Sequence, residues 1–173
     1  MKIAIVGFSG SGKSTLARKL SEYYNIPVLH IDTVHHLPGW VSRDREESKK
    51  IVDDFLDSND SWVIDGNYFK LSFERRIEEA DVVILMEFNR FKTVYRAHKR
   101  YKKYKNTSRP DMTVGCNEKF DFEFFKWLFY KGRTRAVKKR YNNIKNDYKN
   151  KVVILKSQRQ IDKYLKETIE TKA

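Results

Sequence analysis

Four residues near the start of the chain carry a chemical signature. Gly7, Gly12, Lys13 and Ser14, within GFSGSGKST (7–15), fit G-x-x-x-x-G-K-[ST]. Glycines let a loop turn tightly enough for its N–H groups to reach phosphate oxygens. A lysine ammonium meets the outer phosphates as a point charge, and a serine hydroxyl is a hard oxygen ligand suited to magnesium. The stretch therefore reads as a phosphate-binding loop, with Gly7, Ser9, Gly10, Ser11, Gly12, Lys13, Ser14 and Thr15 as its contacts.

Two carboxylates stand out further along. Asp65, in WVIDGNY, follows an apolar run and precedes Gly66. At a strand end beside the loop it would hold magnesium through water or take a proton from an attacking hydroxyl; the competing reading is an ordinary Asp-Gly turn. Asp32, in HIDTVHHLPGW, faces the same rim and would orient or deprotonate an acceptor hydroxyl, unless it merely caps a turn. His30, His35 and His36 lie close by. His30 falls inside a strand and the adjacent His35 and His36 diverge, so acceptor contact or packing is expected there rather than a zinc site. Trp40 would either cover a planar acceptor or pack its own loop.

Cations supply the third feature. Lys92, Arg96 and Arg100 recur at i, i+4 and i+8, and Lys99 with Lys103 repeats the step, which makes a basic stripe on one helical face. With Arg109, and with Arg133 and Arg135 as further candidates, the stripe would close over polyphosphate, Arg96 and Arg100 gripping the transferred group. The alternative is a solvated basic face.

These groups need a scaffold. Apolar runs at 2–6, 26–31, 61–65, 81–88 and 151–156 alternate with helical patterns at 13–24, 44–58, 73–80, 91–104 and 158–170, with one or two helices between about 120 and 148. That alternation predicts a parallel sheet wrapped by helices, whose site lies at the carboxyl ends of the strands. The region 106–119 reads as a loop, and the aromatics from Phe120 to Tyr130 read as a helix core, with base stacking the lesser reading.

Size and charge bound the rest. At 173 residues a single continuous domain is expected. Between Arg90 and Asn150 stand 19 Lys/Arg and 5 Asp/Glu, a net +14; the remainder holds 17 and 18, a net −1, so one segment carries the whole excess of +13. Such a block suits several phosphates, nucleic acid or plain solubility. No apolar segment nears a membrane span, no leader peptide is recognisable and Cys116 is the only cysteine, which together point to a cytoplasmic protein.

GFSGSGKSTLARKL, PVLHIDTVHHLPGW, SWVIDGNY, FNR and SRPDM-x-x-GC-x-EKFD resemble, in that order, the bacterial DNA topology modulation protein family, part of the adenylate-kinase-like group of phosphate-loop proteins. The resemblance runs from Met1 to about Leu165. It implies an α/β, three-layer fold with a five-stranded parallel sheet and the loop strand at its centre. It implies ATP bound by Gly10, Gly12, Lys13, Ser14 and Thr15, Mg2+ near Ser14 and Asp65, Asp32 on the acceptor side, a lid within 90–135, and Arg159 near the adenine. The chain departs from motor ATPases in lacking an hhhhDE motif, and from zinc-bearing lids in lacking four cysteines at 105–119. The expected activity is transfer of the ATP γ-phosphoryl group to a small-molecule or nucleotide acceptor. The alternatives are an ATP-switched nucleic-acid-binding regulator and a nucleotide-binding scaffold without turnover.

Overall fold

The computed structural model describes residues 1–170. Five short apolar segments form a parallel sheet: β1 (Lys2–Gly7), β2 (Val28–His30), β5 (Trp62–Asp65), β6 (Val82–Met86) and β7 (Val152–Leu155), in the order β2-β5-β1-β6-β7. The loop strand β1 is central, as expected. Ile, Val and Leu fill these strands because both faces of the sheet are covered.

Side chains alternate across the sheet and feed two separate cores. On one face Ala4, Val6, Ile64, Val83 and Leu85 pack against α3 (Arg45–Ser58), α4 (Phe73–Glu79) and α7 (Arg135–Asp147), through Val52, Leu56, Ile77, Tyr141 and Ile144. On the other face Ile3, Ile5, Val63, Ile84 and Met86 pack against α1 (Lys13–Tyr24) and α8 (Gln158–Glu170), through Leu16, Leu20 and Ile161. The result is a three-layer α/β sandwich.

Several helix starts are written in the sequence. Asp44 accepts N–H groups from Glu46 and Glu47 to begin α3, Asn89 accepts from Phe91 to begin α5 (Arg90–Tyr104), Asp121 from Phe124 to begin α6 (Phe122–Phe129), and Thr134 from Val137 to begin α7.

Two expectations require correction. The second strand is shorter than 26–31: it spans Val28–His30, and Ile31 opens a short helix, α2 (Ile31–His35), so Asp32 sits on a helical turn directly past the strand. A two-stranded ribbon, β3 (His36–Leu37) with β4 (Val41–Ser42), follows it. The aromatics of α6 do not form a core. Leu128 alone is buried within that helix, whereas Phe122 is 69% and Tyr130, just beyond it, 62% exposed. The helix lies on α5 rather than on the sheet, and too few layers surround it to cover its outer rings. Among the described residues no helix is long and apolar enough to cross a membrane.

Candidate active site

β1, β2 and β5 end together at one edge of the sheet, and the chemistry converges there. The phosphate loop crosses from β1 to α1 with glycine where glycine is required. Gly10 has φ +76, and a Cβ there would stand 2.6 Å from the Thr93 carbonyl oxygen. Gly12 has φ +98, with Arg96 Nη2 2.5 Å from where its Cβ would be. Helix α5 thus rides directly over the loop. Asn67 fixes the other end of the loop. Its Oδ1 accepts the Gly7 N–H at 3.0 Å and its Nδ2 donates to the Gly7 carbonyl at 2.7 Å.

Ser14 and Asp65 meet as the sequence predicts. The Ser14 hydroxyl donates to Asp65 Oδ2 at 2.8 Å, and Asp65 is 4% exposed. Asp65 Oδ1 is bonded to His30 Nδ1; the two residues are register partners at the ends of β5 and β2. Burial alone would lower the His30 pKa, but the hydrogen bond and charge of Asp65 outweigh it, and the value lies above the ordinary one. A hydroxyl beside a buried carboxylate at the foot of a phosphate loop is the hard oxygen donor set that suits Mg2+.

Lys13 lies in the cleft floor and donates to the Phe8 carbonyl at 3.3 Å. Burial pushes its pKa down, while the charges of Asp65 and Asp32 oppose that shift. One ammonium therefore feels two carboxylates, one at the end of β5 and one on the helical turn past β2.

Asp32 lines the cleft from the helical turn past β2. Its side chain is 39% exposed because it faces the cleft from deep within the molecule. Arg109 Nη2 donates to Oδ2 at 3.1 Å and the Tyr68 hydroxyl donates to Oδ1 at 2.9 Å. Desolvation would raise its pKa; Arg109, Lys13 and the Tyr68 hydrogen bond together hold it below the usual carboxylate range. The same neighbourhood pushes the Tyr68 phenol well above its ordinary value, chiefly by burial and then by the charge of Asp32. Since the Tyr68 proton goes to Asp32, the 3.3 Å contact between its oxygen and His36 Nε2 calls for an Nε2–H donor.

The segment 106–119 closes the far wall as a folded loop. Arg109 is held by Asp32, by Asp111 at 3.4 Å and by Glu118 at 3.7 Å, and Glu118 Oε1 also accepts from Arg100 Nε at 2.9 Å and Nη2 at 2.6 Å. The loop is sewn to the 33–40 segment: Thr113 Oγ1 donates to the His36 carbonyl at 2.5 Å, Gly39 N–H to the Gly115 carbonyl at 3.1 Å, and Trp40 Nε1 to the Asn117 carbonyl at 3.0 Å. The cleft so enclosed measures about 1030 Å³.

Of the basic stripe, Arg96, Lys99, Arg100 and Lys103 line this cleft, while Lys92 stands exposed outside it. Arg96 donates to Gln158 Oε1 at 2.7 Å and stacks over Phe88. Arg133, expected over polyphosphate, is instead a structural bolt. It donates to the carbonyls of Leu128 and Phe88 and to the Thr93 hydroxyl, with its guanidinium 3.8 Å from the centre of the Phe8 ring. Arg135 does not line the cleft. Arg159 is exposed, and its neighbour Gln158 is the residue of that turn that faces the cleft. Ser9, Gly10, Gly12, Lys13, Ser14 and Thr15 all line the cleft; Ser11 is fully buried behind it. Asn67 and Tyr68, which follow Asp65 in VIDGNY, line the cleft with it, and His30, weighed from the sequence for acceptor contact or packing, pairs instead with Asp65.

No family model and no curated protein matches the chain. Solved structures do. An uncharacterized protein from Eubacterium ventriosum is 16% identical, with 99% of this chain and 98% of that one covered at a TM-score of 0.52. Shikimate kinase from Bacteroides thetaiotaomicron is also 16% identical, with 99% and 97% covered and a TM-score of 0.52. At this identity the likeness speaks for the fold: the chain has the kinase-like P-loop NTPase fold, a five-stranded parallel sheet flanked by helices.

Proposed function

We propose that the chain is an ATP-dependent phosphotransferase that passes the γ-phosphoryl group to a small hydroxyl- or phosphate-bearing acceptor. One observation carries this reading: the phosphate-loop Lys13 shares one cleft with two carboxylates that have different partners, Asp65 beside the Ser14 hydroxyl and Asp32 beside Arg109. The first pair suits metal and phosphate, the second an acceptor. Mg2+, when bound at Ser14 and Asp65, would neutralise phosphate charge.

The chain's own residues would divide the work. The loop amides and Lys13 bind the phosphates, and Arg96, directly over Gly12, adds positive charge where equatorial oxygens gain negative charge. Asp32 orients the acceptor hydroxyl. As the bond from acceptor oxygen to γ-phosphorus forms and the bond to the β-phosphate oxygen breaks, the hydroxyl proton passes to Asp32 and ADP departs. Because Asp32 is held at a low pKa, it serves as a late proton acceptor and mainly as a positioning group.

The test uses purified protein, Mg-ATP and a panel of nucleoside monophosphates, nucleosides and small hydroxylated metabolites including shikimate, with ADP release as the readout. One acceptor should raise ADP release. Asp32→Asn should lower that rate about 10²–10⁴-fold while ATP affinity stays within a few-fold. A panel that never changes ADP release removes the kinase reading.

The exposed rings of α6 favour a second reading, an ATP-switched nucleic-acid surface. Arg90 lies 4.9 Å over Phe129 and Lys126 lies 4.4 Å over Phe122, interleaving charge with aromatic rings. Binding of single- or double-stranded DNA that weakens steeply with salt and responds to ATP would support it; no binding at physiological salt would end it.

A further inference from the structure

Asp65 uses its two oxygens for different partners. Oδ2 accepts the Ser14 hydroxyl and Oδ1 is bonded to His30 Nδ1. Of the pair, Asp65 is buried and His30 largely so, at 5% and 13% side-chain exposure. The backbone just beyond Asp65 is fixed by other groups. Arg76, itself buried, donates to the Gly66 carbonyl at 3.1 Å and to the Tyr68 carbonyl at 3.0 Å, and Asn67 clamps Gly7. What those contacts leave free is the carboxylate's own rotation, a broad and nearly two-fold torsion for aspartate. His30 narrows that freedom: with one oxygen bonded to Nδ1, the plane of the carboxylate is set and the other oxygen is directed at Ser14.

We propose that His30 is a positioning residue for the metal: it holds the Asp65 carboxylate in the orientation that lets Oδ2 and the Ser14 hydroxyl act together on Mg2+ bound with the nucleotide. The proposal rests on the assignment of Ser14 and Asp65 to the magnesium side of the phosphate site. Register supports it. His30 and Asp65 are paired residues of neighbouring parallel strands, so the contact comes from strand ends that cannot drift without unpairing the sheet edge. Outer partners of ligating carboxylates commonly set metal affinity in this way.

ATP binding by the full chain, measured calorimetrically across a Mg2+ titration and again in EDTA with no acceptor present, tests the proposal. His30→Ala should raise the half-saturating Mg2+ concentration about 10–100-fold and leave metal-free ATP affinity unchanged. His30→Asn, whose side-chain N–H stands where Nδ1 stands, should recover the wild-type Mg2+ response. Melting in EDTA reports folding. If the alanine variant does not fold, His30→Gln, which keeps size and polarity but carries its amide one bond further out, takes its place with the same expectation.

A folded variant with wild-type Mg2+ response overturns the proposal. So does an equal loss with and without Mg2+, which would make His30 a support of the loop alone, and so does a wild-type protein whose ATP affinity ignores Mg2+. No acceptor enters this measurement. Failure to find a phosphorylated acceptor would therefore remove the kinase reading and leave this result standing.

Discussion

The two walls of the cleft, which we propose meet the phosphates and the acceptor, are built from different materials. The phosphate wall is mostly backbone: the Phe8 N–H donates to the Met86 carbonyl at 3.1 Å, the Ser11 N–H to the Phe8 carbonyl at 3.2 Å, and Asn67 holds both polar groups of Gly7. The acceptor wall is mostly charge, with Arg109 between Asp32, Asp111 and Glu118, and Arg100 on Glu118. Backbone geometry persists whatever enters the cleft. Ion pairs can be exchanged, because an anionic ligand competes for the same guanidinium groups. A preformed phosphate site facing a remakeable acceptor site suits a protein that must hold one ligand in a fixed pose and adjust to another.

Removing the centre of the charged wall should show the contrast most sharply. Arg109→Ala leaves Glu118, 4% exposed at its side chain, without one of its two cations, and releases Asp32. Breaking a buried network from one side costs about 3–5 kcal/mol, and urea unfolding should register a loss of that order. A loss within the ~0–1 kcal/mol of an exposed pair would mean that water already supports this wall. The corresponding change on the other wall acts on function instead. Lys13→Ala removes an ammonium that burial already disfavours, so melting should stay near wild type. Transfer should fall about 10²–10³-fold, as when one preorganised charge is taken from a transition state. A folded Lys13→Ala protein that binds Mg-ATP and turns over normally would remove the phosphate-site assignment.

The same contrast explains what the sequence could say. The phosphate wall is local: nine consecutive residues, with a strand before and a helix after, announce their own geometry. Even Ser14 with Asp65 was legible, because Asp65 falls at the carboxyl end of a predicted strand and Ser14 opens the helix that follows the loop strand, and the pairing of those two strands brings the two together. The acceptor wall joins residues such as Asp32 and Arg109, 77 positions apart, through a segment with no periodicity to read. Arg109 is expected over polyphosphate with the basic stripe, and nothing in SRPDMTVGC says that it pairs with Asp32 instead. Arg133 misleads for a related reason: composition shows a cation in a basic segment, whereas its partners are three acceptors and a ring supplied by four separate stretches of chain. The α6 aromatics fail differently again, since helical spacing shows which face a helix can bury but not whether another layer is there to cover it.

The finest test of the comparison is pH, because the two walls should lean in opposite directions. On the phosphate wall the His30 pKa is raised in the folded protein, against burial and because of Asp65. Its contribution to stability is therefore full below the unfolded value of about 6.5 and is lost as pH rises through the higher folded value. On the acceptor wall the Asp32 pKa is lowered, against burial and because of Arg109 and Lys13. Its contribution is full above about 3.9 and is lost as pH falls through the lower folded value. Both effects are small beside the loss expected for Arg109→Ala, since Asp32 is open to the cleft and partly screened. Melting of the metal-free protein across this range, compared with Asp32→Asn and His30→Asn, separates them. Asp32→Asn should flatten only the acid limb, and His30→Asn only the loss of stability as pH rises above about 6.5. If both substitutions changed the same limb, the walls would be electrostatically one unit, coupled through the Lys13 that feels both carboxylates.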